Sequence, residues 1–145
     1  MNGTPNSRPA AETGGRLNGF RQRQSEAAAR SAERRRREDA APRLKEQVPA
    51  LETLRLDIQE RRADAPIAES SHVKRVPVEH APALFELPCH DAFCTEGGHD
   101  LTQIILQSLR AGETAFEGED SCSGHTGTAP CQRVLRYVAT ATYRR

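Results

Sequence analysis

The residues of this 145-residue chain best suited to chemistry are Cys89, Cys94, Cys122 and Cys131. They form a Cys-x4-Cys pair and a Cys-x8-Cys pair, with 27 residues between the pairs. Two converging thiol pairs suit Zn2+, which takes four sulfurs at about 2.3 Å in a tetrahedron. The thiol protons must leave on binding, so metal and folding are expected to be coupled in a small domain. His90, His99 and His125 lie close to the cysteines in sequence and are alternates for one thiolate. Taken singly, each reads better as an exposed loop histidine. Disulfides, redox chemistry and inert buried thiols are the competing readings, and the spacing selects no disulfide pairing.

Catalytic arrangements fit less well. Pro88-Cys89-x4-Cys94 followed by a helix is similar to half of the zinc nucleoside-deaminase signature, which also needs an upstream His-x-Glu. Here His80 is followed by Ala81-Pro82, and His72 by Val73-Lys74. A three-ligand site with His99 and an open position would be catalytic in form. Yet no motif positions a base, and Asp91, Glu96 and Asp100 read as surface or capping carboxylates. A cysteine nucleophile with His90 or His125 as base has only sequence adjacency behind it. There is no phosphate loop, HExxH motif or nucleophile elbow. A non-enzymatic protein is expected.

The elements that must position the cysteines are short. Asp100 and Gln103 form a capping-box pattern for a helix carrying Leu101, Ile104, Ile105 and Leu109 on one face, ended by Gly112. Val73–Glu79 reads as an edge strand, because Pro77 bars a central one. Leu84–Leu87 is extended and leads into Cys89, and Thr114–Glu117 is a strand leading toward Cys122. Residues 135–143 alternate Leu135, Tyr137, Ala139, Ala141 and Tyr143 against Arg136, Val138, Thr140 and Thr142, the period of a strand. The expected fold class is α+β, a small zinc-stapled domain of short strands and one helix over residues 73–145.

Upstream, residues 1–24 are rich in Gly, Asn, Pro, Ser and Arg and are expected to be a disordered arm. Residues 25–62 are expected to be a helical segment broken near Pro42 and Pro49, its first part without an apolar face. Its second part, about 49–62, is expected to be amphipathic and to offer Leu51, Leu54 and Ile58 to a protein partner or to the domain. Residues 63–72 read as a linker.

The four cysteines, with the strands and helix between them, resemble those of zinc-ribbon-like and treble-clef-like four-cysteine zinc-finger proteins over about residues 85–143. The resemblance implies a structural Zn2+ held by Cys89, Cys94, Cys122 and Cys131. Typical ribbons have two tight Cys-x2-Cys knuckles, and both spacings here are longer.

Charge is uneven. Residues 1–64 hold 14 Lys/Arg and 10 Asp/Glu, and residues 65–145 hold 7 and 10. Arg34, Arg35, Arg36 and Arg37, with Arg133 and Arg136 near the C-terminus, are the candidate nucleic-acid contacts. Glu33, Glu38 and Asp39 partly neutralise the run, and a four-thiolate zinc centre would itself be anionic. A zinc-binding accessory or regulatory module with a protein partner is therefore expected, with nucleic-acid binding through the arm and last strand as the alternative. Hydrophobic content is 36% and aromatic content 4%, low for a core spread over the whole chain. No apolar run suggests a signal peptide or membrane span, so a cytoplasmic protein with reduced cysteines is expected.

Overall fold

The computed structural model describes residues 4–91 and 93–145, with side chains from residue 19 onward. They fall into two compact units, residues 1–40 and 41–145.

The first unit is one helix, α1 (Thr4–Ala40). The arm expected over residues 1–24 and the helix expected from Ser25 are continuous in it, and Met1–Gly3 lie outside the described residues. Ala, Arg, Glu and Gln favour helix. Glu33 bonds Arg36 at 2.6 Å and lies 3.5 Å from Arg37, one turn away. No described side chain of α1 is buried. A helix without a packed face is held only by such local terms, which makes it marginal.

The second unit is α+β. Its sheet has four antiparallel strands in the order β2 (Ser70–Val76), β1 (Leu51–Arg62), β9 (Arg133–Tyr143), β6 (Ala115–Ser121). Helix α3 (Thr102–Arg110) buries Ile105, Leu106 and Leu109, and the short helix α2 (Leu44–Gln47) buries Leu44. These join Leu54, Leu56 and Ile58 of β1 and Leu135, Tyr137 and Ala139 of β9 in one core. Two small sheets complete the unit: β3 (Glu86–Leu87) with β5 (His99–Asp100), and β4 (Cys94–Thr95) with β7 (His125–Thr126) and β8 (Ala129–Pro130).

The largest correction concerns residues 49–62. They form a central strand and not an amphipathic helix. Leu54, Leu56, Ile58 and Glu60 alternate inward against Arg55, Asp57, Gln59 and Arg61, which is period two. Pairing along β9 on one side and β2 on the other outweighs the helix propensity of Leu, Glu and Arg. Leu51, Leu54 and Ile58 are consequently core residues, at most 2% exposed, and do not present a docking face. The compact unit accordingly begins at Ala41, not at residue 73.

Other elements stand close to expectation. β2 is the edge strand and ends before Pro77, though it starts at Ser70, inside the expected linker. β9 buries Leu135, Tyr137, Ala139 and Ala141 as its alternation requires. The N-cap of α3 is Leu101 rather than the expected Asp100, and no side chain caps it; Asp100, one residue earlier, accepts the Thr102 N–H at 3.1 Å. Ile104, expected on the buried face of α3, is exposed, and Leu106 is buried in its place. Gly112 follows the helix with φ 73°, a left-handed conformation that favours glycine.

Candidate metal centre

The centre sits where the main sheet meets the small three-stranded one. Cys122 directly follows β6 and Cys131 lies two residues before β9, so the two long paired strands deliver this pair together. The Cys122 N–H donates to the Arg133 carbonyl at 2.9 Å and continues the β6–β9 ladder to the site. Cys89 follows β3 and Pro88, and Cys94 opens β4 after a turn in which its N–H donates to the Asp91 carbonyl at 3.1 Å. β4 then pairs with β7, Cys94 opposite Thr126, which ties the first knuckle to the second.

All four sulfurs lie within 4.8 Å of one another. The Sγ–Sγ separations are 3.8 Å for Cys89–Cys131 and 3.6 Å for Cys94–Cys122. A tetrahedron with metal–sulfur bonds of about 2.3 Å has edges of about 3.8 Å. No disulfide links them. The four cysteines are thus positioned to hold a metal ion.

Two glycines permit this crowding. A Cβ on Gly97 would stand 2.2 Å from Cys94 Sγ and 2.6 Å from Cys122 Sγ. A Cβ on Gly124 would stand 2.5 Å from Cys94 Sγ. Backbone therefore occupies the space beside the sulfurs, and the Gly124 N–H donates to Cys122 Sγ at 3.4 Å. Such N–H donors orient and stabilise metal-bound thiolates. Gly97→Ala is expected to abolish tight metal binding while leaving the main sheet folded. Metal content and far-ultraviolet circular dichroism of the variant check both halves.

The thiols differ in acidity. Burial pushes Cys89 far up, and burial with its sulfur neighbours pushes Cys94 up to about 12. For Cys122, burial acts upward, but the N–H groups of Gly124 and Gly98 and the neighbouring thiols prevail and bring it below the usual thiol value. In the metal-free chain Cys89 and Cys94 are therefore protonated at neutral pH, and a metal must displace both protons. Apparent affinity is expected to rise by at least about 100-fold per pH unit between pH 6 and 8, since no fewer than these two protons are released. Chelator competition across that range, or proton release in weakly buffered solution, measures it.

The histidines take other roles. His99 is buried and its Nδ1 bonds Asp120 Oδ2 at 2.8 Å. His90 Nδ1 bonds Glu60 Oε2 on β1. His125 is exposed on β7. Among the described residues, the group close enough to share an ion comprises the four cysteines without any of these three. Of the carboxylates, Asp91 accepts the Phe93 N–H at 2.9 Å, and Glu96 sits in the turn before Gly97 with φ 56°. The candidate nucleic-acid residues are divided between the two units. Arg133 bonds Glu69, Arg136 bonds Glu117 at 2.9 Å, and Arg36 and Arg37 both face Glu33. Sequence reasoning missed Gly97, Gly124, Glu60 and Asp120. The signal for the glycines was their placement three residues after Cys94 and two after Cys122.

Among the described residues, no helix is long and apolar enough to cross a membrane. Comparison with known protein families, curated proteins and solved structures returns no match to this chain.

Proposed function

We propose that this chain is a non-enzymatic zinc-binding module, an accessory or regulatory protein that binds a protein partner. The observation that carries the metal reading is the grouping of four sulfurs within 4.8 Å of one another, two pairs of them 3.8 and 3.6 Å apart, cradled by Gly97 and Gly124. Four thiolates suit Zn2+, and a closed four-ligand site leaves no position for substrate or activated water. Bound zinc would staple the two knuckles to the ends of β6 and β9. Unbridged thiols suit a reducing compartment such as the cytoplasm. The surface left for a partner is the edge of the main sheet. β2 is exposed along nearly its whole length and carries Val73 in the open, which suits addition of a partner's strand.

A second reading is nucleic-acid binding through α1. Among the described residues Arg36 and Arg37 pair with Glu33 and no ion pair is seen for Arg34 or Arg35, and residues 1–40 hold nine arginines against five acidic residues. Residues 41–145, with 12 basic and 15 acidic residues, give it no support.

The two readings separate in one comparison. Stoichiometric co-purification of a defined protein with the full chain, lost in Val73→Pro and in Cys122→Ser, supports the first. A nucleic-acid shift that weakens steeply with salt and vanishes in Arg34→Ala/Arg35→Ala supports the second and overturns the first.

A further inference from the structure

The core of a small domain is an unfavourable place for a carboxylate, yet Glu60 is 0% exposed on β1. Its Oε2 accepts from Ser70 Oγ at 3.2 Å and is bonded to His90 Nδ1. Its Oε1 has no partner. Arg133, whose charge feels Glu60, is bonded to Glu69 instead. The group that Glu60 engages most directly is therefore an imidazole, and that imidazole is 52% exposed.

His72 stands beside it. The register places Ser70 opposite Glu60 and His72 opposite Ile58, so Glu60, Ser70 and His72 share one face of the β1–β2 pair. The His72 and His90 rings meet edge to face with centroids 6.4 Å apart. Histidines that bind metals typically give their other ring nitrogen to a carboxylate, which fixes the ring and raises its basicity as a ligand. Glu60 does this to His90 and leaves Nε2 as the free nitrogen. Two imidazoles binding one ion through nitrogens at about 2.1 Å have centroids no more than about 6.5 Å apart. The observed separation lies just inside that limit, which corresponds to a nearly linear arrangement; a bent one requires the exposed His72 side chain to rotate toward His90.

We propose that His72 and His90, the latter oriented by Glu60, form a second metal site for a divalent transition-metal ion that favours imidazole, such as Ni2+, Cu2+ or Zn2+. It is separate from the four-cysteine centre. With two protein ligands it leaves coordination positions open, so it exchanges its ion readily. His90 follows Cys89 in the first knuckle, so the site is expected to form while the thiols hold an ion, whichever ion that is.

The test is Ni2+ titration of the tag-free, metal-replete full chain. It is followed by calorimetry and visible absorption, with the metal at the cysteines measured by mass spectrometry in the same samples. One saturable equivalent is expected, with ligand-field bands but no sulfur-to-nickel charge transfer. His72→Ala and His90→Ala should each abolish it, and His125→Ala should not. Glu60→Gln should weaken it about 10-fold to 100-fold. His72 lies on an exposed strand, so His72→Ala removes a ligand without disturbing the core and remains decisive if Glu60→Gln misfolds. Binding that survives His72→Ala, or no saturable binding at all, overturns the proposal. Loss of metal from the cysteines with this equivalent retained would instead count against the zinc centre alone.

Discussion

Chelating the metal from the intact chain is expected to free the two knuckles, about residues 88–99 and 122–131, while the four-stranded sheet stays folded. None of the four cysteines belongs to the hydrophobic core of the unit, which is built from β1, β9, α2, α3 and the segment around Phe85. The strands around the cysteines are two residues long, too short to hold without another constraint. A ligand that binds only the closed form stabilises it by about 4 kcal/mol once its free concentration reaches 1,000 times Kd. Amide exchange in the knuckles should therefore accelerate by at least about a thousandfold after chelation, while amides in β1 and β9 keep most of their protection. Peptide-resolved hydrogen exchange with and without chelator measures this. Global unfolding on chelation would mean that the sheet also depends on the metal, and unchanged exchange would mean that no metal holds the knuckles.

Ile58→Ala is expected to cost about 2–5 kcal/mol of stability, the range for removing a large aliphatic side chain from a packed core. Ile58 is 0% exposed, on the central strand of the sheet, between His72 of β2 and Tyr137 of β9. On the exposed face of a docking helix, the same change would move stability by no more than about 0.5 kcal/mol. Urea unfolding of Ile58→Ala thus distinguishes the strand from the helix suggested by leucine spacing. Leu54→Ala, also buried and facing Ala141, should behave in the same way.

That segment also shows what was and was not legible in the residues. Leu51, Leu54 and Ile58 fit a helical stripe, while Leu54, Leu56 and Ile58 fit a strand. The choice depends on whether a partner strand exists, and the partners, residues 70–76 and 133–143, are distant in sequence. Glu60 completes the inward series but is polar, so it hid the period-two pattern. β9 was legible because residues 135–143 alternate without a break and three of the four outward positions, Val138, Thr140 and Thr142, are β-branched. α3 was legible through its local signals, Asp100 at one end and Gly112 at the other. The four-cysteine cluster was legible as a candidate metal site, since converging thiol pairs suit a metal ion. Its support was not: Gly97 and Gly124 matter because of sulfurs brought near them by pairing of β4 with β7 and β6 with β9. The histidines were ambiguous for the same reason. Only the fold shows that His99 bonds Asp120 and His90 bonds Glu60 rather than joining the thiols.

Metal content by mass spectrometry on the full chain, purified under reducing conditions without added metal, beside Cys89→Ser and Cys131→Ser, decides whether the thiols hold zinc. About one zinc per chain is expected, the number a single four-thiolate site holds, with both variants depleted. A folded wild-type chain that carries no metal and four free thiols would contradict the account.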